Sequence, residues 1–201
     1  MKKIVAVNTS PRTTWNTAAM VREAAKGAEA QGAEIVYFDL YQLEKYQGCV
    51  SCFGCKTAPN EGVWICRDGL IIGSPNYLGN VTAGFRALYE RLVFQSITYQ
   101  VERRSYNERK IPVLFIMTSN AKEEFYDQIG YTQMIEGYKN NFEVFVGPTK
   151  TLISANTLQV SDYSKYNWTM FDPEEKKKRH GTVFQNEKLN AFELGAEMVR
   201  G

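Results

Sequence analysis

Five short apolar runs, spaced along the whole chain, constrain the fold more than any other feature of the sequence. They occupy residues 4–7, 34–40, 69–74, 111–117 and 150–155, and most of their members are aliphatic or aromatic. Continuous apolar runs of this length are typical of strands buried on both faces of a parallel sheet, in which helices supply the crossovers. The pattern therefore predicts a doubly wound α/β fold with a five-stranded parallel sheet and helices on both faces.

Helical periodicity occupies most of the intervals between these runs. Apolar residues recur at helical spacing within residues 16–31, 81–92, 131–142 and 189–199. The interval 160–187 is polar, aromatic and charged without a clear period, so we expect an irregular excursion over the surface or an arm that contacts a partner. No linker divides the chain, and 44% hydrophobic residues suffice for a substantial core, which favours a single domain over residues 1–201.

The charge balance gives no reason to expect nucleic acid or a membrane as a partner. Lysine and arginine number 24 against 22 acidic residues, and the one dense basic run, residues 176–179, is interpreted as a solvated surface. No segment reaches the roughly 18 consecutive apolar residues of a membrane span, and the N-terminus enters a strand directly instead of an apolar signal segment. A cytoplasmic location is the default expectation.

The junction between the first strand and the first helix has the composition of an anion site. A polar turn, residues 8–11, separates the two elements, and the unpaired backbone N–H groups of a helix N-terminus attract anions. Hydroxyl donors and one charge stand in the same stretch, at Ser10, Thr13, Thr14, Thr17 and Arg12. The junction favours a phosphate ligand, and an ordinary capped helix is the alternative.

Two further polar turns follow the third and fourth strands, at residues 75–80 and 118–122. In a doubly wound sheet the ligand binds beyond the carboxyl ends of the strands, where the strand order reverses. The three turns are therefore expected to converge on one site, which strengthens the phosphate interpretation of residues 8–17.

Two segments of the chain resemble a known family. These segments are S-P-R-x-x-x-N-T at residues 10–17 and G-S-P-N-Y-L-G-N at residues 73–80. They resemble the NADPH-dependent FMN reductase branch of the flavodoxin-like superfamily. The resemblance is strongest to members with a cysteine-rich loop, among them the iron-sulfur flavoproteins. The resemblance implies strand order 2-1-3-4-5 and bound FMN.

The resemblance also assigns roles to individual residues. It places the FMN phosphate at Ser10, Arg12, Asn16 and Thr17. It places the flavin ring along Pro75, Asn76, Tyr77, Leu78 and Gly79, with the other edge of the ring bordered by Thr118, Ser119 and Asn120. The flavin carries the redox chemistry, so no catalytic side chain is required.

The implied activity is transfer of a hydride from NAD(P)H to FMN and then of electrons to a small acceptor, such as a quinone, a flavin or a nitro compound. The chain lacks G-x-G-x-x-G, so NAD(P)H is expected to dock transiently over the flavin. The alternative is an electron carrier in which FMN and an iron-sulfur cluster relay electrons between protein partners. Relatives in the family tend to be homodimers or homotetramers.

All four cysteines lie in a loop at residues 41–68. Cys49, Cys52 and Cys55 form C-x2-C-x2-C, and Cys66 follows after ten intervening residues. Such spacing in a cytosolic chain indicates metal ligation or redox thiols. The open interpretations are a [4Fe-4S] cluster, zinc, or buried or reactive free cysteines, and the iron content of anaerobically purified protein distinguishes them. In the iron-sulfur flavoproteins the last cysteine usually follows more closely.

The family normally has a helix between this loop and the third strand, but here only Arg67 and Asp68 intervene. We therefore hypothesise that a segment after Asp68 is absent from this sequence, and an intact mass of 22.9 kDa would contradict that hypothesis.

Several aromatic residues and the single histidine, His180, have no role in this scheme. Trp15 either packs at the edge of the phosphate site or anchors its loop, and His180 is expected at the surface. A cluster in the 160–187 interval either covers the flavin of a neighbouring subunit or forms a small core of its own; it consists of Tyr163, Tyr166, Trp168 and Phe171.

Overall fold

The secondary structure alternates strands and helices as the sequence predicts. The computed structural model describes residues 1–57 and 67–200. The strands are β1 Lys3–Asn8, β2 Glu34–Asp39, β3 Gly69–Pro75, β4 Val113–Thr118 and β5 Thr149–Ser154. The helices are α1 Asn16–Ala30, α2 Ala83–Phe94, α3 Tyr131–Phe145, α4 Pro173–Gly181 and α5 Val183–Arg200.

The five strands form one parallel sheet in the order β2-β1-β3-β4-β5, which confirms the predicted fold class. β3 and β4 are almost wholly buried because helices cover both faces of the sheet, which explains their continuous apolar sequences. The chain moves outward from β1 to β2 and then returns to β3 on the other side of β1. This reversal places a crevice at the carboxyl ends of β1 and β3.

The two faces of the sheet pack by different means. α2 and α3 cover one face with large aromatic rings, in which Phe85 packs against Phe115 and Phe142. α1 and α5 cover the other face and approach each other closely at two glycines. A Cβ atom added to Gly27 would lie 1.8 Å from the carbonyl oxygen of Phe192, and one added to Gly195 would lie 1.9 Å from that of Ala24.

The interval 160–187 is not irregular throughout, because it contains α4 and the start of α5. The expectation of an irregular excursion was wrong over residues 173–181 and from residue 183. α4 has no apolar stripe, since Lys176 is its only buried residue. Its ends stabilise it instead: Asp172 caps the N-terminus, Pro173 starts the first turn, and basic residues occupy the last turn.

The cysteine-rich loop runs along the outside of α2. Tyr46 donates to the carbonyl of Gly84 near the start of α2, and the Lys56 ammonium donates to the carbonyls of Phe94, Gln95 and Ile97 at its end. Residues 58–66, including Cys66, lie outside the described residues.

Asp68 leads directly into β3, and its backbone N–H donates to the carbonyl oxygen of Lys3 at 2.7 Å. The hypothesis of an absent segment after Asp68 stays a prediction. Within residues 1–57 and 67–200, no helix combines the length and the apolarity needed to cross a membrane.

The contact between α1 and α5 predicts opposite effects for two glycine-to-alanine substitutions. Gly195→Ala should lower the free energy of unfolding by about 1–3 kcal/mol or more, because the methyl group overlaps the backbone of α1. Gly137→Ala is the matched control: a Cβ atom there meets nothing within 4 Å, so we expect a gain of about 0.5–1 kcal/mol from helix propensity. Urea unfolding measures both, and equal effects would contradict the close packing.

Candidate functional site

Two adjoining cavities lie at the carboxyl ends of the strands, where the sequence predicts a ligand. The large cavity has a volume of about 790 Å³ and the small cavity about 170 Å³. The wall that both cavities share is made by Asn76, Tyr77, Ser119, Asn120 and Gln159. One elongated ligand can therefore occupy both cavities.

The small cavity lies against the N-terminus of α1. Ser10 and Thr17 line it and are buried, while Arg12 lines it from the exposed side. Trp15 precedes the helix without a side-chain capping bond. Ala19 is the first residue of α1 whose backbone N–H donates along the helix, to the carbonyl oxygen of Trp15 at 2.8 Å, so the N–H groups of Asn16, Thr17 and Ala18 have no partner within the helix. An anion in this cavity would meet unpaired donors and the positive end of the helix dipole.

Hydrogen bonds across the crevice fix the loop before α1. The Asn8 side chain accepts from the N–H of Ser10 at 3.0 Å, which shapes the turn. The indole N–H of Trp15 and the amide of Asn16 both donate to the carbonyl oxygen of Leu158, at 3.0 and 2.7 Å. Trp15 thus both lines the small cavity and anchors its loop, so the two alternatives for this residue are compatible. The hydroxyls of Thr17 and Thr118 are 2.7 Å apart.

The second loop is a tight turn at residues 77–80. Tyr77 and Asn80 exchange both backbone hydrogen bonds, and the two central residues, Leu78 and Gly79, have φ angles of 53° and 83°. Two positive φ angles are the mark of a type I′ turn, in which glycine is favoured. Leu78 is fully exposed at the rim of the large cavity. Gly79 lines neither cavity, and its role in the structure is to form the turn.

Three side-chain amides beside the cavities have buried atoms without a hydrogen-bond partner. These atoms are Nδ2 of Asn76, Oδ1 of Asn120 and Oε1 of Gln159. All three residues belong to the shared wall. A buried polar atom without a partner costs about 1–3 kcal/mol, so this wall is suited to a ligand that offers both donors and acceptors.

The far wall of the large cavity comes from the chain beyond β5, which sequence reasoning left out of the site. It comprises Asn156, Met170, Phe171, Asp172, Glu175 and Lys176, and Gln159 of the shared wall belongs to the same part of the chain. The segment after β5 could have been found by the same rule that identified the other turns, since β5 also ends at this edge of the sheet. Phe125, Ile129 and Tyr131, after β4, complete the wall.

The aromatic cluster of the 160–187 interval contributes to the cavities of its own chain. Trp168 lines the small cavity and stacks on Tyr166 with a centroid distance of 4.3 Å. Phe171 lines the large cavity and meets Trp168 edge to face. A role at a neighbouring subunit is a separate expectation, which these intrachain contacts do not test.

The basic run 176–179 is not uniformly solvated, contrary to expectation. Lys176 is 2% exposed, and its ammonium donates to Oδ1 of Asn156 at 2.7 Å. Burial lowers the pKa of Lys176 to about 8. His180 lies outside both cavities, where its ring stacks on Phe184, and burial lowers its pKa.

The described cysteines lie apart from the cavities. Cys49, Cys52 and Cys55 have free thiols on the segment beside α2 and line neither cavity. Among the described residues, no three histidine, cysteine or acidic side chains are grouped so that they could hold a metal ion. Since Cys66 lies outside those residues, the four-cysteine ligand set stays a prediction.

Comparison with known proteins identifies relatives of the chain. A family model described as NADPH-dependent FMN reductase matches residues 2–124. An iron-sulfur flavoprotein of Methanocaldococcus jannaschii is 29% identical over 115 residues, which are 51% of this chain and 58% of that protein. The chain spans about half the length of the curated relatives it matches.

Two solved structures are similar over nearly their whole length. An NAD(P)H:quinone oxidoreductase from Methanothermobacter marburgensis has a TM-score of 0.65 and 11% identity, covering 98% of this chain and 96% of that one. An FMN-dependent NADH-azoreductase from Bacillus anthracis, in complex with FMN, has a TM-score of 0.65 and 12% identity, covering 98% of this chain and 99% of that one. These likenesses show a shared fold. With the family match over more than half of the sequence, the chain belongs to the NADPH-dependent FMN reductase family.

Proposed function

We propose that the protein is an FMN-dependent oxidoreductase that oxidises NAD(P)H and reduces a small acceptor such as a quinone, a flavin or a nitro compound. The observation that carries the proposal is the pair of adjoining cavities, one beside unpaired helix N–H groups and both beside unpaired amide atoms of Asn76, Asn120 and Gln159. Because the chain belongs to the NADPH-dependent FMN reductase family, we infer that the ligand of these cavities is FMN.

The residues of the two cavities fit the two ends of FMN. The phosphate suits the small cavity, where Ser10, Thr17 and the first turn of α1 offer donors and Arg12 offers a positive charge. The ring suits the large cavity, where the amides of the shared wall match the alternating donors and acceptors of the flavin pyrimidine. When bound, the flavin accepts a hydride at N5 and passes electrons on.

The protein's own part in this function is to bind, orient and shield. Tyr131 and Phe171 give the large cavity aromatic surface on which a flat ring can pack. Exposed apolar side chains at its rim, Leu78, Phe125 and Met170, suit a flat apolar acceptor. The related azoreductase and quinone oxidoreductase folds support the same class of acceptor.

A homodimer or homotetramer in the cytoplasm is part of the proposal. Such an assembly would cover the rim residues Leu78 and Met170, which are 105% and 86% exposed in the single chain. Light scattering of the purified protein measures the oligomeric state, and a monomer would contradict this part.

The rival function, an electron carrier with an iron-sulfur cluster, has support in the names of curated relatives. Among the described residues Cys49, Cys52 and Cys55 are not grouped as metal ligands, and Cys66 lies outside those residues, so the cluster stays a prediction.

FMN binding and its dependence on the phosphate test the proposed site. We expect the wild type to bind FMN stoichiometrically and to bind riboflavin, which lacks the phosphate, more weakly. Thr17→Val should raise the Kd for FMN about tenfold, the loss of roughly one charge-assisted hydrogen bond, while the Kd for riboflavin changes little. Fluorescence quenching measures both constants.

Thr14→Val is the matched control for this experiment, because Thr14 is exposed on the same loop and lines neither cavity. It should leave both constants unchanged. Failure of the wild type to bind FMN, or an equal loss for FMN and riboflavin in Thr17→Val, would refute the assignment.

Steady-state turnover separates the reductase from the carrier. We expect FMN-loaded protein to oxidise NADH or NADPH in the presence of a quinone, at a rate proportional to the bound flavin. The measurement is the decrease of nicotinamide absorbance under anaerobic conditions. No turnover with nicotinamide, combined with rapid reduction by a ferredoxin, would favour the carrier.

A further inference from the structure

Lys176 is a buried cation in the wall of the large cavity. Its ammonium donates to Oδ1 of Asn156 at 2.7 Å and to the carbonyl oxygens of Asn120 and Thr157 at 3.2 and 3.3 Å. It also lies 5.1 Å from the ring centroid of Phe171. These bonds join α4 to the loops after β4 and β5, both of which line the cavity.

The charge of Lys176 has no ion-pair partner among residues 1–57 and 67–200. The carboxylate of Glu175 turns away to Lys122 and to the amide of Asn156. Arg179, one turn along α4, pairs with Glu187. The hydrogen bonds of the Lys176 ammonium therefore go to uncharged oxygens only.

A buried ammonium without a direct ion pair is costly for the folded protein, and the Glu175 carboxylate is linked to Lys176 only through the amide of Asn156. Desolvation lowers the pKa of Lys176 to about 8, assisted by Arg179 and Lys122 and opposed by Glu175. The group is still mostly protonated at neutral pH. Hydrogen bonds from an uncharged side chain could join the same loops, so the charge itself requires a separate explanation.

Binding of an anionic ligand in the large cavity would explain the charge of Lys176. Hydride transfer from NAD(P)H adds two electrons and one proton to the flavin and releases NAD(P)+, so the reduced ring carries one more negative charge. A fixed positive charge held away from water stabilises such charge more strongly than water does, and Lys176 is 2% exposed. Lys176 also holds the backbone of Asn120, whose side-chain oxygen is one of the unpaired atoms in the shared wall.

We propose that Lys176 raises the reduction potential of the bound cofactor. Its buried ammonium makes the protein bind reduced FMN in preference to oxidised FMN. This inference rests on the proposed function. Lys176 acts as a positioning and electrostatic residue, and no bond to it forms or breaks during turnover.

The pH dependence of folding in ligand-free protein tests the premise that a charged group is buried. The pKa of Lys176 is lowered on folding, so between about pH 8 and 10.5 the unfolded chain holds a proton that the folded chain has released. The unfolding free energy of the wild type should therefore rise with pH relative to that of Lys176→Met, by at most about 1.4 kcal/mol per pH unit. Urea unfolding at pH 7 to 10 measures the difference, and a constant difference would overturn the premise.

The proposal itself is tested by the affinities for the two redox states of FMN. Fluorescence quenching gives the Kd for oxidised FMN, and an anaerobic potential titration with redox dyes gives the midpoint potential, from which the Kd for reduced FMN follows. In Lys176→Met we expect the preference for reduced over oxidised FMN to fall about tenfold, equivalent to about 30 mV for a two-electron couple. Lys176→Arg, which keeps the charge, should retain most of the preference.

Lys177→Met is the matched control, because Lys177 is exposed on the same helix and pairs with Glu174. It should leave the preference unchanged. An equal change of both affinities in Lys176→Met, or the same loss in Lys176→Arg, would mean that Lys176 only ties the loops together. Failure of the wild type to bind FMN would instead refute the proposed function, so the two results are distinguishable.

Discussion

Parallel pairing of the strands is the constraint on which the rest of this structure depends. It directs the carboxyl ends of all five strands to one edge of the sheet, and the reversal between β1 and β3 opens a crevice there. Segments that are distant in sequence consequently meet: Trp15, before α1, bonds to the carbonyl of Leu158, and Thr17 bonds to Thr118. The site is formed mainly by loops, but its geometry is set by the sheet.

The parts of the fold that depend on burial could be predicted from the sequence. β3 and β4 appear as continuous apolar runs because both of their faces are covered, and the polar turns after β1, β3 and β4 could be assigned to one edge. All the predicted cofactor residues except Gly79 line the two cavities. Gly79 occurs where it does because the turn requires a positive φ angle.

The parts that depend on capping and on tertiary contacts could not be predicted in the same way. α4 is stabilised by Asp172 at its N-terminus and by charges at both ends, so it carries no apolar period. Lys176 belongs to a run of basic residues that is typical of a solvated surface, and only the packing of α4 over the loops after β4 and β5 buries it. A residue's local sequence contains no information on that packing.

The contact between α1 and α5 has a consequence for how the chain folds. α1 ends at Ala30, while α5 occupies residues 183–200, so the two helices that cover one face of the sheet are separated by most of the sequence. During synthesis the apolar side chains of this core, including Ile116 of β4 and Ala24 of α1, remain without the cover of α5 until that helix has left the ribosome. Closing so long a loop is slow compared with local helix formation, so docking of α5 is expected to be a late step that completes the second core. Until then the nascent chain carries an open apolar surface, the kind of surface through which partly folded chains aggregate.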